Sequence, residues 1–280
     1  MQQNGEIDEY MTGDSWIILT EIEKSIKAKV EAIGTPLSKW EISINYGIKT
    51  GFNDAFIISS EKRDEILSSC ASDEERLRTD AIIRPILRGR DIRRYGYNWA
   101  NLWLINVHNG IKGSLERIHI EDYPAVKKHL DEYWLKIESR ADQGDTPYNL
   151  RNCAYLDDLS KPKIVWGNLN QTASYAYADG TLFINAPGTM IVPASKYLLG
   201  TLNSKLADFY IRSLGVVRNA GYFEYKPMFV SKLPVILSVA ESEEESFSKL
   251  IDDHDEAAID KRVYELYGLT EEEANYLENW

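Results

Sequence analysis

The sequence predicts an α+β fold: a mainly antiparallel, curved β-sheet flanked by helices at the N- and C-terminal ends of the chain. Three observations lead there. Short apolar runs of strand length recur through the middle, at 55–58 (AFII), 102–107 (LWLINV), 163–166 (KIVW), 181–184 (TLFI) and 189–192 (TMIV). Helical patterns interrupt them irregularly, without the βαβ alternation of a parallel sheet. The 280 residues are 44% hydrophobic, enough to bury a sizeable core.

Residues 15–33 carry Leu19, Ile22, Ile26, Val30 and Ile33 at three- and four-residue spacing, with Gly34 and Pro36 placed to stop the helix. From Trp40 the period changes to two, with Ile42 and Ile44 on the same face. A second helix is expected near Asp122, with Pro124 in its first turn and a core stripe of Val126, Leu130, Trp134 and Ile137. A third is expected near Ser195, through Leu198, Leu199, Leu202, Leu206 and Phe209. After Leu233-Pro234 the chain turns acidic and helical through Leu250, Ile251, His254, Ala258 and Val263. Gly268 should end that helix, and Thr270 with Glu273 forms a capping box for a last one. The expected division is a connecting helix over 1–36, a central domain over 37–238 and an acidic helical tail over 239–280.

A net charge of −12 looks unfavourable for an anionic partner, but its distribution is uneven. Residues 240–280 hold fourteen acidic against three basic side chains, a net of −11, leaving 30 acidic and 29 basic elsewhere. Within that near-neutral body, seven arginines between Arg76 and Arg94 face only Asp80 and Asp91. Arginine forks onto phosphates and guanine edges, so the cluster favours an anionic partner over a merely solvated surface. The tail then reads as a removable docking or solubilising segment. No run reaches the ~18 apolar residues of a membrane span and the start lacks a signal-peptide pattern, so a cytoplasmic protein without membrane partners is expected. Cys70 and Cys153 stand alone, which predicts free thiols and no zinc site.

Motifs of catalysis are missing: no phosphate loop, GxGxxG, GxSxG, HExxH or Asn-Pro-Pro-aromatic string occurs. Asp157-Asp158 followed by Lys161 and Lys163 resembles a nuclease carboxylate-lysine set only generically, and a solvated turn is the simpler reading. Several segments instead suit nucleic acid. In GIKTGFND, Gly47 and Gly51 bracket Lys49 and Thr50 ahead of Asn53, so backbone amides and one ammonium could approach a phosphate, unless this is a plain hairpin. In RGRDIRRY, Arg88 and Arg90 alternate along a strand-like segment ahead of Arg93 and Arg94, although an Arg–Asp pair through Asp91 could be purely structural. Trp166, Asn168, Asn170 and Gln171 make an amide loop suited to adenine edges, and equally suited to an ordinary turn. Arg218, Asn219, Tyr222 and Tyr225 combine a cation, an amide and aromatics.

The strings NYGIKTGFNDAF (45–56), IIRPILRGRDIRRY (82–95), WLINVH (103–108), DYPAVKKHL (122–130), KPKIVW (161–166), YLLGTLNSKLADFY (197–210) and KLPV (232–235) resemble, in order, the TaqI-like C-terminal specificity domain. That module occurs in type IIG restriction-modification enzymes and adenine-specific DNA methyltransferases. The resemblance implies a non-catalytic target-recognition module that binds double-stranded DNA and presents an adenine to a methyltransferase domain on the same or an associated chain. S-adenosylmethionine would bind that domain and no cofactor this chain. VYELYGLTEEE (263–273) is similar to the tail of the long fused enzymes, which predicts a piece of such an enzyme or a separately encoded specificity chain. The alternatives are a protein-interaction scaffold subunit of a phage-defence complex and a free-standing nuclease.

Overall fold

The computed structural model of the chain describes residues 19–214, 218–237 and 240–280. Eight strands of three or more residues lie among them: β1 (Ser43–Tyr46), β2 (Ile57–Ser59), β3 (Ile83–Arg88), β4 (Leu102–Ile105), β5 (Lys163–Trp166), β6 (Tyr175–Ala178), β7 (Phe183–Asn185) and β8 (Thr189–Val192). Two four-stranded sheets result, where a single curved one was expected. The first, in the order β6-β5-β8-β1, is antiparallel throughout. The second, β7-β3-β4-β2, contains one parallel pair, β3 with β7, and is otherwise antiparallel. The α+β expectation holds.

The continuous apolar runs of β5 and β8 follow from burial on both faces. Ile164, Trp166, Tyr175 and Ile191 point into one core, whereas Val165, Ala176 and Met190 point into a second core shared with the other sheet. An alternating pattern appears only where one face meets water, and here neither face does.

Among the described residues, nine helices of eight or more residues accompany these sheets: α1 (Glu21–Ile33), α2 (Ser60–Ser68), α3 (Asp73–Ile82), α4 (Pro124–Asp131), α5 (Lys196–Asn203), α6 (Lys205–Leu214), α7 (Glu241–Asp252), α8 (Glu256–Leu266) and α9 (Glu271–Glu278). Thr20 and Glu23 close a capping box on α1, which buries Ile26 and Val30 but leaves Ile33 48% exposed. Residues 15–18 of the expected helix lie outside the described residues. The expected third helix is two: Ser204 is extended (ψ 154°) and breaks it between α5 and α6. The tail helix likewise breaks at His254, which takes a left-handed φ of 56°. Residues 55–58 begin as a helical turn, Asn53–Phe56, before β2. Trp134 stands 36% exposed, while Val126, Leu130 and Ile137 are buried as the stripe requires.

The acidic tail is structural. Phe247, Ile251, Ile259, Val263, Tyr264, Tyr267 and Leu277 belong to the same core as α1, β5, α5 and α6, so the packing does not follow the boundaries at 36 and 238. Its carboxylates also have work inside the fold. Glu244 accepts the Lys196 and Tyr197 amides at the N-terminus of α5 (2.5 and 2.9 Å), and Asp260 accepts the Lys205 amide at the start of α6 (2.8 Å). Carboxylates at these positions satisfy orphan amides and face the positive end of the helix dipole.

Glu273 ties the last helix to the first. It receives the Lys29 ammonium (2.6 Å), the Ser25 hydroxyl (2.7 Å) and the Thr270 amide (2.7 Å). Burial raises its pKa, but the Lys29 ammonium and these hydrogen bonds outweigh burial and bring it down to about 2 from 4.5. A carboxyl depressed in the folded state contributes stability that is fully present above the unfolded pKa and lost as pH falls through the folded one. Glu273→Gln should therefore cost on the order of 2 kcal/mol at pH 7. In urea titrations the gap to the unaltered chain should close between about pH 4.5 and 2; a gap that persists at pH 2 would refute the assignment.

Candidate nucleic-acid interface

The turn Lys49-Thr50-Gly51 leaves β1 alongside β7: Gly47 and Ile48 donate to the Gly188 and Ile184 carbonyls (both 2.8 Å), and the Ala186 amide returns a bond to Ile48 (3.0 Å). Lys49 is exposed and Thr50 buried, with the Thr50 hydroxyl donating to the Asn53 side-chain oxygen (2.6 Å). Gly51 takes φ +71°, a conformation that favours glycine. The turn walls an open cleft of about 630 Å³ whose other side is Asn168, Asn185, Ala186 and Pro187. The cleft thus brings together Lys49, Thr50, Asn53 and Asn168 from two distant candidate segments.

Arg140, which the sequence reading passed over, holds this turn from beneath. The residue is 6% exposed, and its guanidinium donates to the carbonyls of Thr50 (2.8 Å), Pro147 (3.1 Å), Asp142 and Asn149, lying 4.6 Å from the Phe56 ring centroid. Desolvation lowers its pKa to about 10, so it stays charged at neutral pH. The chain Asn185-Ala186-Pro187-Gly188 was missed as well, although proline and glycine between two apolar runs mark a turn.

Three glycines join the cleft to the arginine segment. A Cβ on Gly89 would lie 3.1 Å from the Gly167 Cα, and one on Gly167 would lie 2.8 Å from the Gly89 carbonyl oxygen, with the Gly188 Cα 3.7 Å from the first. Backbones cross there with no room for side chains. The segments 88–90, 167–171 and 185–188 therefore share one edge of the molecule.

The arginines divide by partner. Arg88 ends β3 and is followed by a 3-10 turn, Gly89–Asp91, so Arg88 and Arg90 do not alternate along a strand as expected. Arg88 forks onto Asp91 (Nε to Oδ2 2.9 Å, Nη2 to Oδ1 2.7 Å) while Asp91 also accepts the Arg88 amide (3.0 Å), which makes it a structural pair. Burial raises the Asp91 pKa, but the Arg88 contacts prevail and hold it below the usual carboxylate range. Arg94 reaches Glu256 on α8 (2.6 Å). Arg93 donates to the Arg90 and Ile92 carbonyls (2.7 and 2.8 Å) and remains exposed. Arg90 is exposed, with no ion-pair partner among the described residues.

Beside Gly167, Leu169–Asn170 pairs antiparallel with Phe223–Glu224 as a two-stranded ribbon. Alternation sorts its side chains. Asn168 and Asn170 turn inward, Asn168 accepting the Thr189 hydroxyl (2.7 Å) and Asn170 donating to the Gly167 carbonyl (2.7 Å). Trp166 and Tyr225 are core residues, the Trp166 indole donating to the Tyr225 carbonyl (2.6 Å) and the Tyr225 hydroxyl to Asp208. Gln171 and Tyr222 stay exposed, with the Gln171 amide 3.4 Å from the Ala220 carbonyl. Arg218 pairs with Glu224 (Nε to Oε1 2.5 Å), which Lys226 also reaches (2.8 Å). The Asn219 side chain lies outside the described residues.

The carboxylate-lysine set is not assembled. Lys163 is wholly buried and donates to the Asp179 and Leu182 carbonyls (2.8 and 2.9 Å), and Lys161 pairs with Asp158 (2.8 Å). Burial brings the Lys163 pKa down to about 8. Among the described residues no His, Cys, Asp and Glu side chains cluster as a metal site, Cys70 and Cys153 are free, and no helix is long and apolar enough to cross a membrane.

Fold and site define an α+β domain with a polar cleft continued by a β-ribbon, and with exposed cations beside both. The chain belongs to the family of TaqI-like C-terminal specificity domains, whose sequence profile matches residues 84–235. Its fold is similar to part of the type IIL restriction-modification enzyme MmeI, solved in complex with DNA (14% identity, TM-score 0.59, covering 88% of this chain and 37% of that one). It is also similar to part of the type IIG restriction endonuclease BpuSI (12% identity, TM-score 0.54, 91% of this chain and 33% of that one). The chain thus spans about a third of the length of each of these enzymes. No curated protein matches it.

Proposed function

We propose that this chain is the DNA target-recognition module of a restriction-modification enzyme, reading a short duplex sequence and positioning it for adenine methylation by a methyltransferase domain. S-adenosylmethionine would be that domain's cofactor, and cleavage would belong to a nuclease domain where one accompanies it. The observation that carries the reading is the shared edge at Gly89, Gly167 and Gly188, which sets Lys49, Arg90 and Gln171 on elements that meet in a specificity-domain fold. MmeI, one of the structural neighbours, was solved with DNA bound.

Salt titration of duplex binding tests it, because each phosphate neutralised releases counterions and steepens the slope. Lys49→Ala and Arg90→Ala should each lower the slope by roughly one unit, weakening all sequences alike if they touch phosphate, whereas a guanine-reading arginine costs about 1–3 kcal/mol on its cognate site alone. Arg94→Ala should leave the slope unchanged, since Glu256 already holds that guanidinium. Equal slopes for the unaltered chain and the Lys49/Arg90 double variant, both folded, would sink the reading in favour of a protein scaffold.

A further inference from the structure

On the ribbon that pairs Leu169–Asn170 with Phe223–Glu224, the outward face carries one aliphatic side chain, Leu169, at 53% exposure. Strand alternation puts Gln171 on the same face, and across the ribbon Tyr222 and Glu224. Leu169, Gln171 and Tyr222 are exposed while Asn168, Asn170 and Tyr225 are covered, and Glu224, the fourth residue of this face, is buried at 5% exposure with two cations on its carboxylate. Around the leucine stand Arg218, 53% exposed at its side chain, and Lys226, both drawn to the single carboxylate of Glu224. Two cations on one anion leave the rim of this face net positive.

From this arrangement we infer that Leu169 is a specificity-determining residue that contacts the 5-methyl group of a thymine in the major groove. The inference rests on the DNA reading proposed above. A protein partner would call for a broad apolar centre, whereas this face offers one leucine and one tyrosine inside a polar, cationic rim. Duplex DNA offers the complementary object. Its major groove admits a two-stranded ribbon, presents phosphates at both walls to Arg218 and Lys226, and displays a single apolar group, the thymine methyl, among hydrogen-bonding edges that Gln171 could read. Asparagine, serine or lysine at 169 would leave the ladder intact, since only backbone pairs there, so the fold does not demand leucine.

Replacing thymine by deoxyuridine removes that methyl and nothing else. The full 280-residue chain is first used to select its site from a randomised duplex pool at low salt. Each thymine of the selected duplex is then replaced singly by deoxyuridine, for the unaltered chain and for Leu169→Ala. The unaltered chain should lose about fourfold in affinity at one thymine, as expected for one methyl group taken from water. Leu169→Ala should bind both duplexes equally while melting at the same temperature, because the side chain is half exposed. Equal binding of thymine and deoxyuridine at every position by the unaltered chain overturns the assignment, as do a selected site without thymine and discrimination that survives Leu169→Ala. A pool that yields no enriched sequence overturns the DNA reading itself, which separates the two failures.

Discussion

A chain ending at residue 239 will not melt cooperatively. Removing residues 240–280 takes away −11 of the net charge of −12, and on electrostatics alone that should favour a polyanionic ligand. The packing decides otherwise. Phe247, Ile251, Ile259, Val263, Tyr264, Tyr267 and Leu277 sit in the core with Val30, Trp166 and Phe209. At roughly 2 kcal/mol for each buried apolar side chain, their loss is comparable to the whole net stability of about 5–15 kcal/mol of a folded protein. Deletion also strips the carboxylates of Glu244 and Asp260 from the N-termini of α5 and α6. Circular dichroism and the dispersion of amide proton shifts measure the outcome. A sharp transition within a few degrees of the full chain would show that the tail is dispensable after all.

Arg140→Met should abolish duplex binding at moderate salt while leaving a chain that folds. Methionine can fill the volume over Phe56 but returns no hydrogen bond to the carbonyls of Thr50, Asp142 and Pro147. Leaving such acceptors buried without donors costs on the order of 3 kcal/mol, less whatever is regained by not burying a charge. The loss falls on the Lys49-Thr50-Gly51 turn, which is held at Thr50 by this side chain. Arg140→Lys should recover part of the stability and little of the binding, since one ammonium cannot span four carbonyls. Paired thermal melts and duplex titrations distinguish the effects. Full binding by a destabilised Arg140→Met chain would show that the turn needs no support from below.

The elements were readable where a local pattern decides them. Residues 163–166 and 189–192 fall on β5 and β8 to the residue, and Thr270 with Glu273 forms the capping box that its spacing announces. Long-range partners were not readable. Nothing local shows that Arg94 is consumed by Glu256 across 162 positions, whereas the structural Arg–Asp pair left open at Asp91 is local and falls to Arg88, three residues away. A count of charges therefore overstated the free cations. Arg140 gave no signal because a lone arginine in ESRADQGD resembles any solvated one, and only loops brought together by folding surround it. The tail misled for a related reason. Its fourteen carboxylates dominate the composition, while the seven apolar residues that place it in the core are spread over 31 positions.

The contact of Gly89, Gly167 and Gly188 separates what is held from what is varied. The backbone crossing involves no side chain, and the residues that face outward around it, at 90, 169, 171 and 222, contribute nothing to its closure. If the proposed DNA reading holds, exchange at those four positions should redraw a recognition code one letter at a time, with each intermediate folded and testable by selection. The hub has no such freedom. Even alanine at 167 would drive a methyl against the Gly89 carbonyl and disturb the segments that carry those positions together, so under the proposed reading diversification should accumulate around this crossing and stop at it.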